Sequence, residues 1–229
     1  MSVSRVTRSK TEARATYDRI SGWYDLLAGN WERKPREAGL RKLGVRAGES
    51  VLEIGFGTGY GILALAQSAG NAGRVYGLDL SPGMARVTRS RVDRLGLMHG
   101  VALLCGDAVR LPFAAERFDA ILMSFTLELL DTPEIPAALY ECRRVLRRDG
   151  RVCIISLSKV GGLGWMRTLY EWGHRKWPQF LDCRPIFVQR ALEEAGFRIL
   201  DATLVRLWGL SVEIVLAGIK SLHIGSPAV

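Results

Sequence analysis

The sequence predicts an α/β fold: a mostly parallel, seven-stranded sheet whose last strand runs antiparallel, with helices on both faces. Three observations carry this expectation. Apolar runs alternate with amphipathic stretches, the rhythm of βαβ units and a parallel sheet. A glycine-rich turn, EIGFGTGYG at 53–61, follows the first of those runs. The chain then closes on two strand-like runs, 197–206 (FRILDATLVR) and 211–219 (SVEIVLAGI), joined by a short segment holding Gly209. So short a link cannot carry a parallel crossover, so these two strands pair antiparallel.

Each element has its own signal. The opening residues, MSVSRVTRSK, are basic and polar and lack the apolar stretch of a secretory signal. In TYDRISGWYDLLAGNW, Tyr17, Tyr24, Leu27 and Trp31 fall on one helical stripe, which suits a core-facing helix. Strands are expected at 51–55, 74–79, 101–105, 118–124 and 151–157, and helices near 60–69, 82–96 and 134–147. Ser81-Pro82 starts the second helix with an N-cap serine and a proline in the first turn. Gly150, after RRVLRRD, reads as a helix stop and a turn into the fifth strand. In the stretch 159–190, Trp165, Met166, Leu169, Tyr170, Gly173 and Trp177 cluster on one helical side, opposite Arg167, Glu171, His174, Arg175 and Lys176. The whole is expected to be one domain over 1–229, with a helical cap at about 11–47 and an insertion at about 159–190.

Bulk properties narrow the class. At 229 residues the chain is long enough for one α/β domain, and 48% apolar and 24% charged is an ordinary composition for a soluble globular protein. No apolar run approaches the roughly 20 residues that span a bilayer, so a cytoplasmic protein is the expectation. Cys105, Cys142, Cys153 and Cys183 have no CxxC spacing and read as buried, reduced thiols rather than a metal site or disulfides. The net charge of +9 draws on Arg86, Arg89, Arg91 and Arg94 in one helix and Arg5, Arg8, Lys10 and Arg14 near the start. A solvated face explains it, and attraction to anionic membrane or nucleic acid are the sharper readings.

The glycine loop carries the chemistry. Glycines at a strand-to-helix turn let a ligand approach the backbone, and the helix that follows offers free N–H groups. The dinucleotide pattern GxGxxG/A fails, because the sixth position is Tyr60 counted from Gly55 and Ile62 counted from Gly57. A P-loop fails too, for no Lys-Ser/Thr follows. Glu53 adds negative charge, suited to a ligand with a positive centre. Asp79 ends the second strand, where a carboxylate can accept both hydroxyls of a ribose. Asp107 lies past the third strand and suits an exocyclic amine such as adenine N6. Either aspartate alone could be a turn or cap residue; the joint pattern is what points to an adenosine ligand.

VLEIGFGTG, VYGLDLSPGM and CGDAVRLPF, in this order, resemble the first three motifs of the class I S-adenosylmethionine (SAM)-dependent methyltransferases. RFDAILMSFTLELL and ECRRVLRRDGRVCIISLSK resemble later segments of the methyltransferase-11 type, nearest to the ubiquinone/menaquinone-biosynthesis C-methyltransferases. The resemblance covers roughly residues 12–160 and implies a Rossmann-like fold and SAM as cofactor. It implies that Gly55, Gly57 and Gly59 line the methionine part, with Glu53 beside them as a further cofactor-binding candidate. Asp79 would bind the ribose with Leu80 and Met84 nearby, and Asp107 and Ala108 would meet the adenine. Ser124 would sit under the cofactor, and Tyr17 or Tyr24 would touch it from the N-terminal region. Phe56 stands where Cys or Gly is more usual, Arg148-Asp149-Gly150 replaces a Pro-Gly-Gly turn, and ISLSK stands in place of LEFSK.

Methyl transfer from a sulfonium needs a nucleophile held in line, and a base only where the nucleophile must first lose a proton. Glu128, in the SFTLE segment after strand four, is the nearest base candidate; its alternative is an exposed helix-start residue. SFTLE replaces the Asn/Asp-Pro-Pro-Tyr/Phe motif of many nucleobase and amide methylases, which argues against nucleic acid. Phe125, Trp165, Tyr170 and His174 are the substrate-contact candidates, the last three in an apolar lid able to touch membrane lipid. The expected acceptor is small and hydrophobic, first a quinol or aromatic carbon, then a phospholipid amine. An NAD-dependent oxidoreductase and a non-catalytic SAM-binding protein are the readings from other classes.

Overall fold

The computed structural model describes residues 9–22, 24, 29–161, 184–207 and 209–220. Within them lies a seven-stranded sheet: β1 (Ser50–Ile54), β2 (Arg74–Asp79), β3 (Val101–Cys105), β4 (Phe118–Ser124), β5 (Leu146–Leu157), β6 (Phe197–Leu207) and β7 (Leu210–Ile219). Their order across the sheet is β3-β2-β1-β4-β5-β7-β6. β1 to β5 pair in parallel, while β7 runs antiparallel to both β5 and β6, so the sequence expectation holds. The order reverses at β1, which has β2 on one side and β4 on the other. In open α/β sheets ligands bind at such a switch point, beyond the carboxyl ends of the strands.

Both faces of the central strands are covered, which is why they read as near-continuous apolar runs. Along β4, Ile121 and Met123 join one buried cluster and Ala120 and Leu122 the other; along β5, Val152 and Ile154 oppose Cys153 and Ile155. Helices α1 (Lys10–Ile20), α2 (Gly29–Leu43), α3 (Tyr60–Ala69), α4 (Pro82–Arg94), α5 (Glu134–Val145) and α6 (Val188–Glu194) flank the sheet. Leu43, Ile62, Leu65, Met84 and Val92 bring α2, α3 and α4 to one face, and Leu139, Val145 and Leu192 bring α5 and α6 to the other. Each fully buried aliphatic side chain of this kind contributes about 1.5–3 kcal/mol.

Local signals explain the helix starts. Ser81 caps α4, its Oγ accepting from Met84 N at 3.1 Å with Pro82 at the first position, as the sequence predicts. Ser9 caps α1 in a reciprocal box with Glu12.

Three expectations need correction. The helix before β5 ends at Val145, and Leu146 already pairs with Phe118; residues 147–150 then bulge out before Arg151 pairs with Ala120. Gly150 therefore closes a bulge inside the strand, not a helix. The stripe through Tyr17, Tyr24 and Trp31 is not one helix, because α1 ends at Ile20 and Trp31 belongs to α2; Leu27 lies outside the described residues. Cys105, at the end of edge strand β3, is exposed, whereas Cys142 and Cys153 are buried, with burial pushing both thiols up to about 12. Cys183 lies outside the described residues.

Candidate active site

A cleft opens beyond the carboxyl ends of β1, β2 and β4, roofed by α1 and α2. Its floor is the turn from β1 into α3. Gly55 has φ of +73°, and a Cβ there would fall onto the Thr126 side chain; Gly61 lies so close to the Glu53 carboxylate that a Cβ would overlap it. The turn is thereby a cradle of bare backbone with a carboxyl group beneath it.

Asp79, at the end of β2, is held by that turn. Its Oδ2 accepts from Gly57 N and its Oδ1 from Ser81 N, each at 2.9 Å. Burial raises its pKa, opposed by those backbone donors. The carboxylate lines the cleft at the strand end, and a carboxylate with two oxygens can receive vicinal hydroxyls. Asp107 follows β3 and accepts from Val109 N at 3.1 Å through Oδ1. Leu80, Met84, Ala108, Ser124 and Phe125 complete the same wall, with Tyr17 and Tyr24 facing them from the N-terminal region. Gly59 is the exception among the three glycines expected there: it caps α3 and does not line the cleft, and a Cβ on it would fall onto the Thr88 side chain.

Glu53 is 2% exposed and lines the cleft, and burial lifts its pKa to about 8, with the Arg36 charge opposing and Asp79 adding. Its Oε2 has no hydrogen-bond partner among the described residues. A buried carboxyl oxygen left open beside a cleft costs stability unless a ligand satisfies it.

The sequence reading missed a second cluster on α2. Glu32 is buried, its Oε2 accepting from Arg36 at 2.6 Å and its Oε1 from Tyr24 Oη at 3.1 Å. Arg36 also lies over the Tyr60 ring at 5.5 Å from its centroid. The i,i+4 spacing of Glu32 and Arg36 was a readable sign that they share a helix face; only the tertiary fold sets that face over the cleft. Phe125 has φ of +52°, a left-handed conformation rare outside glycine, with Trp31 packed edge-on at 4.9 Å and Phe125 N donating to Ile155 O.

Glu128 is not where the sequence placed it. It is fully buried in a short 3₁₀ turn and does not line the cleft; Oε1 accepts from Leu157 N at 3.1 Å, and burial raises its pKa to about 7. It is neither an exposed helix start nor placed to meet a substrate, because the turn after β4 points it back onto β5. Trp165, Tyr170 and His174 lie outside the described residues.

Comparison with known proteins fits this geometry. A family model described as a methyltransferase domain matches residues 51–150. The demethylmenaquinone methyltransferase of Geobacillus stearothermophilus is 31% identical over 166 residues, 72% of this chain and 68% of that protein. The chain belongs to the SAM-dependent methyltransferases. Within the family, the ubiquinone/menaquinone biosynthesis C-methyltransferase UbiE of Cupriavidus taiwanensis is 38% identical over 136 residues, 59% of this chain. The chain spans about half the length of that relative, 54%. Among solved structures, the cyclase SpnF superposes with a TM-score of 0.74 at 18% identity, covering 95% of this chain and 98% of that one. That likeness shows a shared fold and says nothing of the reaction.

The family's cofactor fits the residues present. The bare cradle, the open carboxyl oxygen of Glu53 and the guanidinium of Arg36 suit an amino-acid group carrying both an ammonium and a carboxylate. Asp79 and Asp107, on the same cleft, suit an adenosine.

Proposed function

We propose that this chain methylates a small, hydrophobic acceptor, with a quinol or related aromatic carbon first. The observation that carries this is the gathering of Glu53, Asp79 and Asp107 around one glycine cradle, with the apolar Phe125, Leu129 and Leu130 on the same cleft. The Cupriavidus and Geobacillus relatives, a ubiquinone/menaquinone biosynthesis C-methyltransferase and a demethylmenaquinone methyltransferase, support the acceptor class.

SAM supplies an electrophilic methyl group on a sulfonium with a neutral leaving group. The chain's residues do the rest. Asp79 takes the ribose hydroxyls, Asp107 and Ala108 the adenine, and Glu53 and Arg36 the amino-acid end. Phe125, fixed by its strained backbone and by Trp31, presents a rigid apolar wall for the acceptor ring. A quinol carbon becomes nucleophilic when its hydroxyl loses a proton. Glu32 Oε1, beside Tyr24 Oη, is the carboxylate oxygen we assign to receive it, in place of Glu128. Holding the acceptor in line supplies most of the acceleration.

The test is methyl transfer from methyl-labelled SAM to a lipid extract, with the labelled product identified. We expect label on a quinol carbon, and a rate about a hundredfold lower for Glu32→Gln with binding of the demethylated product, S-adenosylhomocysteine, retained. Label on an amine headgroup would replace the acceptor; NAD binding in place of S-adenosylhomocysteine would sink the methyltransferase reading.

A further inference from the structure

Asp107 closes the end of the cleft assigned to the adenine, and its second oxygen is already engaged. Lys10 Nζ lies 2.5 Å from Asp107 Oδ2 and 2.6 Å from Glu134 Oε1. Lys10 is the first residue of α1, and both ends of that helix are fixed. The Ser9–Glu12 box sets the first turn, and near the other end Asp18 Oδ1 accepts from Ser81 Oγ at 2.6 Å and Gly83 N at 2.7 Å. None of the residues of α1 is buried. Tyr17 packs against the apolar cluster near the middle of the helix, and the contacts at its Lys10 end are polar and exchange at small net cost.

An ammonium and an exocyclic amine are both donors and seek the same acceptor lone pairs, and the charged donor bonds the more strongly. We propose that Lys10 is a built-in competitor for the adenine amino group at Asp107. It holds that carboxylate in the cofactor-free protein. On cofactor binding it gives up Asp107 and keeps Glu134, which retains it and leaves α1 docked. This rests on the adenosine site proposed above. Two consequences distinguish it from a simple clamp: Lys10 lowers cofactor affinity, and salt, which weakens a partly exposed ion pair, raises that affinity.

S-adenosylhomocysteine, which carries no net charge, is the probe, titrated calorimetrically at about 50 and about 500 mM NaCl, where screening differs strongly. Lys10→Met should bind it about two- to fivefold tighter at low salt, the range one partly exposed ion pair supports. The unsubstituted protein should approach the variant at high salt, while the variant changes little. Glu134→Gln should weaken binding when Lys10 is present and leave the Lys10→Met background unaffected. Looser binding by Lys10→Met, or an identical salt response in both proteins, would overturn the competition and make Lys10 a clamp. Failure of both folded proteins to bind the probe would remove the adenosine site and this inference with it.

Discussion

Glu53 shows how the burial of one side chain ties stability to pH. An ordinary glutamate titrates at 4.5, and burial carries this one to about 8. Between those values the folded protein holds a proton that the unfolded chain has released. The stability that Glu53 contributes is therefore complete below pH 4.5 and lost as pH rises through about 8. Glu128, raised to about 7, acts in the same direction at a lower pH. Thermal unfolding of the ligand-free protein should show a falling melting temperature through this range. Glu53→Gln should flatten the upper part of the curve and leave the step near 7. An unchanged curve would mean that Glu53 is already ionised and paired. At this scale the sequence was informative where a residue's placement is local, as for Asp79 at a strand end. It failed for Glu128, whose burial depends on how the turn after β4 folds back onto β5.

At the scale of elements, the turn between β1 and α3 does the positioning. Gly55 donates its N–H to Leu78 O at 2.7 Å, tying the turn to β2, while Gly57 N holds Asp79. Gly55→Ala forces a left-handed φ on an L side chain and sets its Cβ against Thr126, itself held by bonds to Gly55 O and Ser124 O. We expect a loss of about 1–3 kcal/mol in urea unfolding, and S-adenosylhomocysteine binding lost beyond what stability explains. Retained affinity would show that the turn only joins two elements. Strands, helices and the antiparallel ending were legible because periodicity and link length are local properties of the chain. The end of α5 was not: RRVLRRDG has helical composition up to its glycine, and the pairing of Leu146 with Phe118 overrides it. The Glu32–Arg36 cluster was equally hidden, since α2 reaches the cleft only through tertiary packing.

For the whole molecule, the unexplained quantity is a net charge of +9. The fold gathers part of it. Asp18 pins α1 to the start of α4, so Arg14 and Arg19 on one helix join Arg86, Arg89 and Arg94 on the other, all five exposed. Ala13 and Tyr17, also on α1, line the cleft, so this basic surface borders its mouth. Among the described residues no helix is long and apolar enough to cross a membrane. A hydrophobic acceptor dissolved in lipid would still have to reach the cleft, and a basic rim lowers the energy of approach to an anionic bilayer by about 1 kcal/mol per residue near the surface. The protein should therefore sediment with vesicles containing phosphatidylserine at low salt, be released as salt rises, and ignore neutral vesicles. Replacing Arg86 and Arg89 with glutamate should weaken that binding about tenfold or more, the two charge reversals each acting at this scale, while S-adenosylhomocysteine affinity stays unchanged. Equal recovery with neutral and anionic vesicles, or none with either, would assign the arginines to solvation alone, and the acceptor would then have to arrive from solution.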